Sequence, residues 1–313
     1  MNTQRPCGCK GVRTCLQCEK DFNIQKPSLI EQLKALQAFS FCPLCERLFE
    51  GWNPFEVREQ HPAHNGNEGL PFPGMFVQEQ FLKTHESEEL MENLDALPWD
   101  ISQSGRRKQN FGPKTNFRQR KLKNGSFNGF PASTRFIQQR LRELPLLRDF
   151  QTIEQCSLEY EPTKGASIDP HVDDCWIWGE RVVTVNCLGD AVLTLTSFDA
   201  TINPQKYNLD LVSEYEKQLL LPLMEVKELE LFKDKVIRVA MPNLSLMVMY
   251  GPARYQFEHA VLREDVKTRR VCIAYREFTP MYIDGEDKEK GNEVTQNAQN
   301  FWTDTNNAIT EVI

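Results

Sequence analysis

The chain predicts a mainly β fold with flanking helices, a sandwich or jelly roll. Short runs rich in β-branched and aromatic residues recur at 152–160, 181–188, 191–196, 236–240, 244–250, 257–262 and 269–278, each of strand length. Glycine and proline punctuate them, as turns between antiparallel strands require. Apolar spacing of helical period lies mostly outside this block, at 84–97 and 133–144, so helices flank the sheets rather than alternate with strands.

In chain order, six of the ten cysteines come first, before residue 46. Cys7, Cys9, Cys15 and Cys18 form C-x-C-x5-C-x2-C, and Cys42 with Cys45 forms a second C-x2-C, followed by His61 and His64. Zinc takes four thiolate or imidazole ligands, commonly as close pairs on turns. One grouping is the first four cysteines, with a second site from Cys42, Cys45, His61 and His64. Another joins Cys15 and Cys18 to Cys42 and Cys45. A tail whose thiols hold no metal is the plain alternative. Residues 28–39 read as a short helix with Ser28 and Glu31 as a capping box. Residues 50–69, rich in Pro, Gly, Asn and His, read as a linker. Residues 1–69 are therefore expected to be a Cys-rich N-terminal region and linker.

The segment L-P-F-P-G-M-F-V at 70–77 leads into a main domain over 70–282. The helix at 84–97 puts Leu90, Met91, Leu94 and Leu97 on one face. Residues 102–123 carry Arg106, Arg107, Lys108, Lys114, Arg118, Arg120, Lys121 and Lys123 with no acid among them, and Phe111 and Phe117 between them. That composition suits contact with a polyanion or an acidic protein, or a solvated loop. The segment 133–144 reads as a helix stopped by Pro145. Residues 198–235, helical over 207–220, read as an insertion covering the barrel edge. Residues 283–313 form a polar tail with a marginal helix over 290–312.

At 313 residues with 40% hydrophobic and 26% charged residues the chain can bury a sizeable core. A net charge of -7 gives no global basic character. No apolar run approaches a membrane span, and M-N-T-Q-R-P-C-G-C contains no apolar core of a secretory signal. Ten cysteines without such a signal predict a reducing compartment, hence cytoplasmic and nuclear residence. Cys156, Cys175, Cys187 and Cys272 are expected to pack.

The chemistry centres on I-D-P-H-V-D-D-C-W-I-W at 168–178. His171 and Asp173, two apart on an extended segment, face the same side. Of the five histidines, His85 lies in a polar helical stretch and His61 and His64 in a loop. His259 follows a long apolar run of strand type. His171, Asp173 and His259 thus form the best candidate for the facial triad of two histidines and a carboxylate that holds non-haem Fe(II). In R-R-V-C-I-A-Y-R-E, Arg270 and Arg276 share a strand face with the small Cys272 and Ala274 between them. Two arginines on a buried strand call for anionic partners, from the protein or from a bound dicarboxylate gripped bidentately. Trp176 and Trp178 share a face and either wall a substrate pocket or pack as core.

Together, H-x-D, a distant His and R-x5-R resemble the AlkB family of Fe(II)- and 2-oxoglutarate-dependent dioxygenases. The motifs are specific in combination and span roughly 70–280. The resemblance implies a double-stranded β-helix, with His171, Asp173 and His259 holding iron at its mouth. It also implies that Arg270 pairs with the distal carboxylate of 2-oxoglutarate, that Arg276 orders its proximal end or the oxygen-side pocket, and that Tyr160 supports it. Tyr160 matches the tyrosine of the family's N-x-Y, but Leu158 replaces the asparagine. The basic stretch, with Arg106, Arg107 and Lys108, falls where the family carries a substrate lid. The activity implied is oxidative N-demethylation, releasing formaldehyde, succinate and carbon dioxide. The stretches at the N-terminus, 102–114 and 169–181 resemble a branch associated with monomethyl-lysine of actin, and so with actomyosin and cytokinesis. N6-methyladenine in DNA is the alternative substrate. A non-catalytic zinc-stabilised interaction module is the reading of another class.

Overall fold

The structure is a computed structural model that describes residues 5–65, 68–117, 119–123, 125–201 and 203–303. Two seven-stranded sheets face each other. The first runs in the order Ile168–His171, Phe257–Val261, Ala191–Ser197, Lys235–Met241, Gln37–Cys42, Arg47–Glu50 and Leu70–Pro71. The second runs Met75–Gln78, Leu246–Met249, Trp178–Leu188, Arg270–Phe278, Glu154–Tyr160, Arg106–Phe111 and Asp100–Ile101. All seven strands expected from 152 onward are present, with ends shifted by at most three residues. This is the jelly roll.

Strand alternation builds the layers. Val182, Leu193, Leu195, Ile237, Val239, Met247 and Phe257 point between the sheets into one apolar core. On the outer face of the second sheet, Val183, Val185, Ile273 and Tyr275 meet Leu90 and Leu94 of the helix Thr84–Asp95, and Ile137 and Leu141 of the helix Arg135–Leu141. Each such buried aliphatic side chain contributes about 1.5–3 kcal/mol, which explains why these two helices dock there. At the join between Gly74 and Tyr250, glycine is required: φ is +89°, and a Cβ would lie 2.0 Å from the Tyr250 carbonyl oxygen.

The N-terminal expectations need correction. The helix with the Ser28 cap covers only Leu29–Lys34. Residues 37–42 are a strand that pairs parallel with Lys235–Met241, and Arg47–Glu50 pairs beside it. The stretch 50–69 contains the helix Pro54–Glu59 and a 3-10 turn at His61–Ala63, so it is not a plain linker. No structural boundary falls at residue 69, because the first sheet runs across it. Alternation in Q-A-F-S-F-C is short and its partner strand is remote in sequence, so local pattern reading missed it.

Between the strands Ala191–Ser197 and Lys235–Met241 the chain runs through short helical turns. Lys206–Glu214 is 3-10 helix with left-handed Tyr207 and Asn208, then Glu216–Gln218 and the short helix Val226–Glu230. This stretch holds the segment after Asp173. The Cys175 N–H donates to the Tyr207 carbonyl at 2.8 Å, and the Tyr215 hydroxyl donates to the Cys175 carbonyl at 3.2 Å. In the tail, the helix is Lys288–Asn297, and Phe301–Trp302 pairs with Phe130–Pro131. The end of the expected helix, 304–312, lies outside the described residues. Among those residues no helix is long and apolar enough to cross a membrane.

Candidate active site and metal centre

His171 ends the strand Ile168–His171, and its cross-strand partner is His259 itself. Directly opposed residues bring their side chains together, and the two imidazole centroids are 4.3 Å apart. Asp173 follows in the loop, its Oδ1 3.5 Å from His171 Nε2. The three ligand atoms lie within 4.8 Å of one another. His171 Nδ1–H donates to the Asp169 carbonyl at 2.9 Å, so Nε2 carries the free lone pair. His259 is buried and its Nδ1 has no hydrogen-bond partner, a polar atom in want of something from outside the chain.

Electrostatics favour a cation here. Burial would raise the Asp173 carboxyl, but Arg276 and His171 outweigh it and hold the carboxyl well below its usual range. Burial, with His171 alongside, pushes the His259 imidazole well below its ordinary value. An ionised carboxylate and a neutral imidazole are the forms in which Asp173 and His259 bind metal. The donor set fits Fe(II) with coordination positions left open.

The two arginines have different partners. Arg276 Nε donates to Asp173 Oδ2 at 2.9 Å, and its Nη1 donates to Glu154 Oε2 at 2.6 Å. It holds the ligand carboxylate from behind. Arg270 is 1% exposed, yet among the described residues no carboxylate pairs with it. Its Nε donates to Asn186 Oδ1 at 2.8 Å, its Nη1 has no partner, and its guanidinium carbon lies 4.7 Å from the Tyr160 ring centre. Stripping water from a cation costs several kcal/mol. One charged hydrogen bond of about 1.5–3 kcal/mol, a weak contact from Nη2 to Met241 Sδ at 3.5 Å and a cation–π contact of about 2 kcal/mol do not offset that. Arg270 lines the same cavity as the triad, together with Tyr160, Leu158, Thr184, Cys272 and Ala274. A cavity with a metal triad at one end and an uncompensated guanidinium at the other suits a chelating dicarboxylate.

Other expectations divide. Arg106 and Lys108 stand opposite Tyr160 and Leu158, on the face that carries the cavity. Arg107 points to the other face, where it forks onto Glu159 and lies over Trp99, so it is removed from the substrate side. Trp176 and Trp178 are 3% and 4% exposed and pack with Phe278 and Tyr282. They are core rather than cavity wall, although Phe117 of the basic segment rests on both. Arg118 lies outside the described residues. Lys114, Arg120, Lys121 and Lys123 are exposed, in and beside the hairpin of Lys114–Asn116 with Lys121–Lys123. The sequence reading missed Glu154 and Asn186. Glu154 is legible in retrospect, six residues before Tyr160 on the same strand face.

The cysteines of the strands and loops, Cys156, Cys175, Cys187 and Cys272, are buried as expected. The N-terminal ones gather into two sets: Cys7, Cys9, Cys15 and Cys18, and Cys42, Cys45, His61 and His64. The alternative union of Cys15 and Cys18 with Cys42 and Cys45 is not formed.

The chain is 36% identical over 305 residues to the alpha-ketoglutarate-dependent dioxygenase alkB homolog 4 of Mus musculus, covering 94% of each protein. It belongs to the AlkB family of 2-oxoglutarate-dependent dioxygenases. The Homo sapiens alkB homolog 4 is likewise 36% identical, over 95% of this chain and 94% of that one. A Caenorhabditis elegans protein named DNA N6-methyl adenine demethylase is 26% identical over 91% and 90% of the two chains. No family model matches the chain. Among solved structures, a Pseudomonas putida prolyl-4-hydroxylase overlaps 66% of this chain and 92% of its own, at a TM-score of 0.37 and 14% identity. OsALKBH1 overlaps 66% of this chain and 97% of its own, at 0.41 and 11%. As an AlkB-family dioxygenase the protein uses Fe(II) and 2-oxoglutarate, and His171, Asp173 and His259 are the set that fits the iron.

Proposed function

We propose that this dioxygenase removes N-methyl groups by oxidation, with monomethyl-lysine on an actin-like protein as its substrate. The observation that carries the catalytic half of this reading is the buried Arg270, uncompensated by any described carboxylate, in the cavity that holds the triad. Arg270 would hold the distal carboxylate of 2-oxoglutarate with its unpartnered Nη1, and the Tyr160 ring lies against the guanidinium. Arg276 keeps Asp173 ionised and aimed. When bound, iron with 2-oxoglutarate and oxygen supplies the oxidising power. The chain keeps that chemistry dry and directed at one C–H bond. Hydroxylation of an N-methyl carbon gives a hemiaminal that breaks down to formaldehyde and the free amine. The net charge of -7 supports a protein substrate over a polyanion.

A second reading has its own support. The hairpin of Lys114–Asn116 with Lys121–Lys123 is basic and exposed, and the C. elegans relative bears the name of a DNA demethylase. The deciding experiment loads the protein with Fe(II) and 2-oxoglutarate without oxygen, admits oxygen, and counts succinate and formaldehyde. Methyl-lysine peptides and N6-methyladenine oligonucleotides are offered in parallel. Formaldehyde from the peptide alone supports the protein reading. Formaldehyde from the oligonucleotide, with binding that falls steeply as salt rises, replaces it with the DNA reading. Succinate that persists undiminished in His171→Ala defeats both.

A further inference from the structure

We infer that the chain holds two zinc ions apart from its catalytic iron, and that one of them clasps the N-terminal segment against the catalytic barrel. The first ion is assigned to Cys7, Cys9, Cys15 and Cys18, the second to Cys42, Cys45, His61 and His64. Within each set the ligand atoms lie within 4.8 Å of one another. Both are closed sets of four soft donors, the pattern that selects tetrahedral zinc. The catalytic triad is an open set of harder donors.

The first set is the local core. The buried cluster formed by Cys9, Cys15 and Cys18, with Cys7 packed against it, contains no other apolar side chain among the described residues. The apolar residues nearby do not close over them: Val12 and Phe22 are exposed, and Leu16 leans away onto Gly165 of the barrel. A segment whose only buried apolar side chains are sulfurs has no hydrocarbon core of its own, and a metal would supply the missing centre. The surroundings suit a negatively charged tetrathiolate. The Cys15 N–H points at Cys18 Sγ at 3.3 Å, and Arg5 Nη1 lies 3.8 Å from that sulfur.

The second set uses a strand-to-strand turn and a 3-10 turn. Cys42 ends its strand, Cys45 lies in the C-P-L-C turn, and His61 and His64 lie on and just after His61–Ala63. The Sγ–Nδ1 distances are 3.6 Å for Cys42–His61, 3.0 Å for Cys45–His61 and 3.4 Å for Cys45–His64. Tetrahedral zinc, with Zn–S near 2.3 Å and Zn–N near 2.0 Å, sets neighbouring S and N about 3.5 Å apart. Both histidines present Nδ1. The His64 ring is stacked on Phe49 at 3.8 Å, which fixes its direction.

The clasp follows from what the first set touches. Arg13 donates to Gln103 at 2.9 Å. Gly8 lies so close to the barrel that a Cβ would come 2.4 Å from Ile101 Cγ2. Glu19 accepts both Nη groups of Arg263, at 2.8 and 2.9 Å, just beyond the strand that carries His259. Lys26 pairs with Asp169 at 2.6 Å, the residue whose carbonyl holds His171. The N-terminal segment therefore leans on both histidine-bearing strands.

Elemental analysis of the full chain, purified without chelator and loaded with Fe(II), tests the assignment. Two zinc and one iron per chain are expected. The double variant Cys15→Ser with Cys18→Ser should lose one zinc, His61→Ala with His64→Ala the other, and His171→Ala only the iron. Hydrogen exchange tests the clasp: loss of the first zinc should speed exchange at 101–106 and 162–171 at least tenfold, and loss of the second should not. If the variants fail to fold, cobalt exchanged into the wild type should show thiolate-to-metal absorption bands for two tetrahedral sites. Fewer than two zinc in the wild type, disulfides among the first four cysteines, or iron in their place overturns the assignment. Unchanged exchange after zinc loss overturns the clasp.

Discussion

Arg270 and Arg276 lie on one face of one strand and differ in what removing each exposes. Arg270→Met takes away an uncompensated buried cation, so the metal-free protein should keep or raise its melting temperature. Its affinity for 2-oxoglutarate should fall about 10- to 100-fold, the worth of a charged hydrogen-bond pair. Titration calorimetry with Mn(II) in place of iron measures the affinity, and a lower melting temperature with unchanged affinity would sink this role. Arg276→Gln does the reverse: it strands Asp173 and Glu154 in the interior. Urea unfolding should then show a loss of about 3–5 kcal/mol, with weaker metal binding. The triad and both arginines were legible in the sequence because each needs only strand alternation and residue chemistry. What each arginine pairs with was not. Glu154 and Asn186 come from other strands, and register alone decides that one guanidinium meets a carboxylate and the other an amide.

The helices that back the second sheet are tied to each other by charge as well as by packing. Glu86, in the first turn of Thr84–Asp95, accepts from the Lys83 N–H and from both Nη groups of Arg140 on the neighbouring helix, at 2.6 and 2.9 Å. The hydrogen bond from Arg140 draws the Glu86 carboxyl down from 4.5 to about 2. The folded value lies below the unfolded one, so the stabilisation is complete above about 4.5 and is lost as pH falls toward 2. With both partners partly exposed, Glu86→Gln should cost about 1–2 kcal/mol at neutral pH. That gap should close as denaturation is repeated at lower pH, and a gap that stays constant would mean the pair contributes nothing electrostatic. The helix itself was predictable from its apolar spacing. The strand Arg106–Phe111 was not: its R-R-K-Q-N-F has little apolar alternation, and it forms because Glu154–Tyr160 offers an open edge.

At the scale of the molecule, the strands Gln37–Cys42 and Arg47–Glu50 are part of the barrel. Deleting residues 1–69 removes the strands Gln37–Cys42 and Arg47–Glu50 from the first sheet, leaves Leu70–Pro71 without its partner and bares the edge of Lys235–Met241. The truncated protein should aggregate, and a soluble monomer with a wild-type melting temperature on size exclusion and calorimetry would reinstate a separable domain. Ligand linkage gives a second global test. Saturating 2-oxoglutarate at about 100 times Kd should add about 2.7 kcal/mol to stability, and Arg270→Met should lose most of that gain at the same concentration. The parallel pairing of Gln37–Cys42 with Lys235–Met241 also sets a timetable for biosynthesis. Roughly 200 residues separate the partners, about 10–40 s of translation at typical rates. For that interval the nascent chain presents Phe39 and Phe41 on a strand with one side unpaired. The Cys42–Cys45 turn, complete with its histidines once residue 64 has left the ribosome, is the part of the molecule able to hold that strand in shape while it waits.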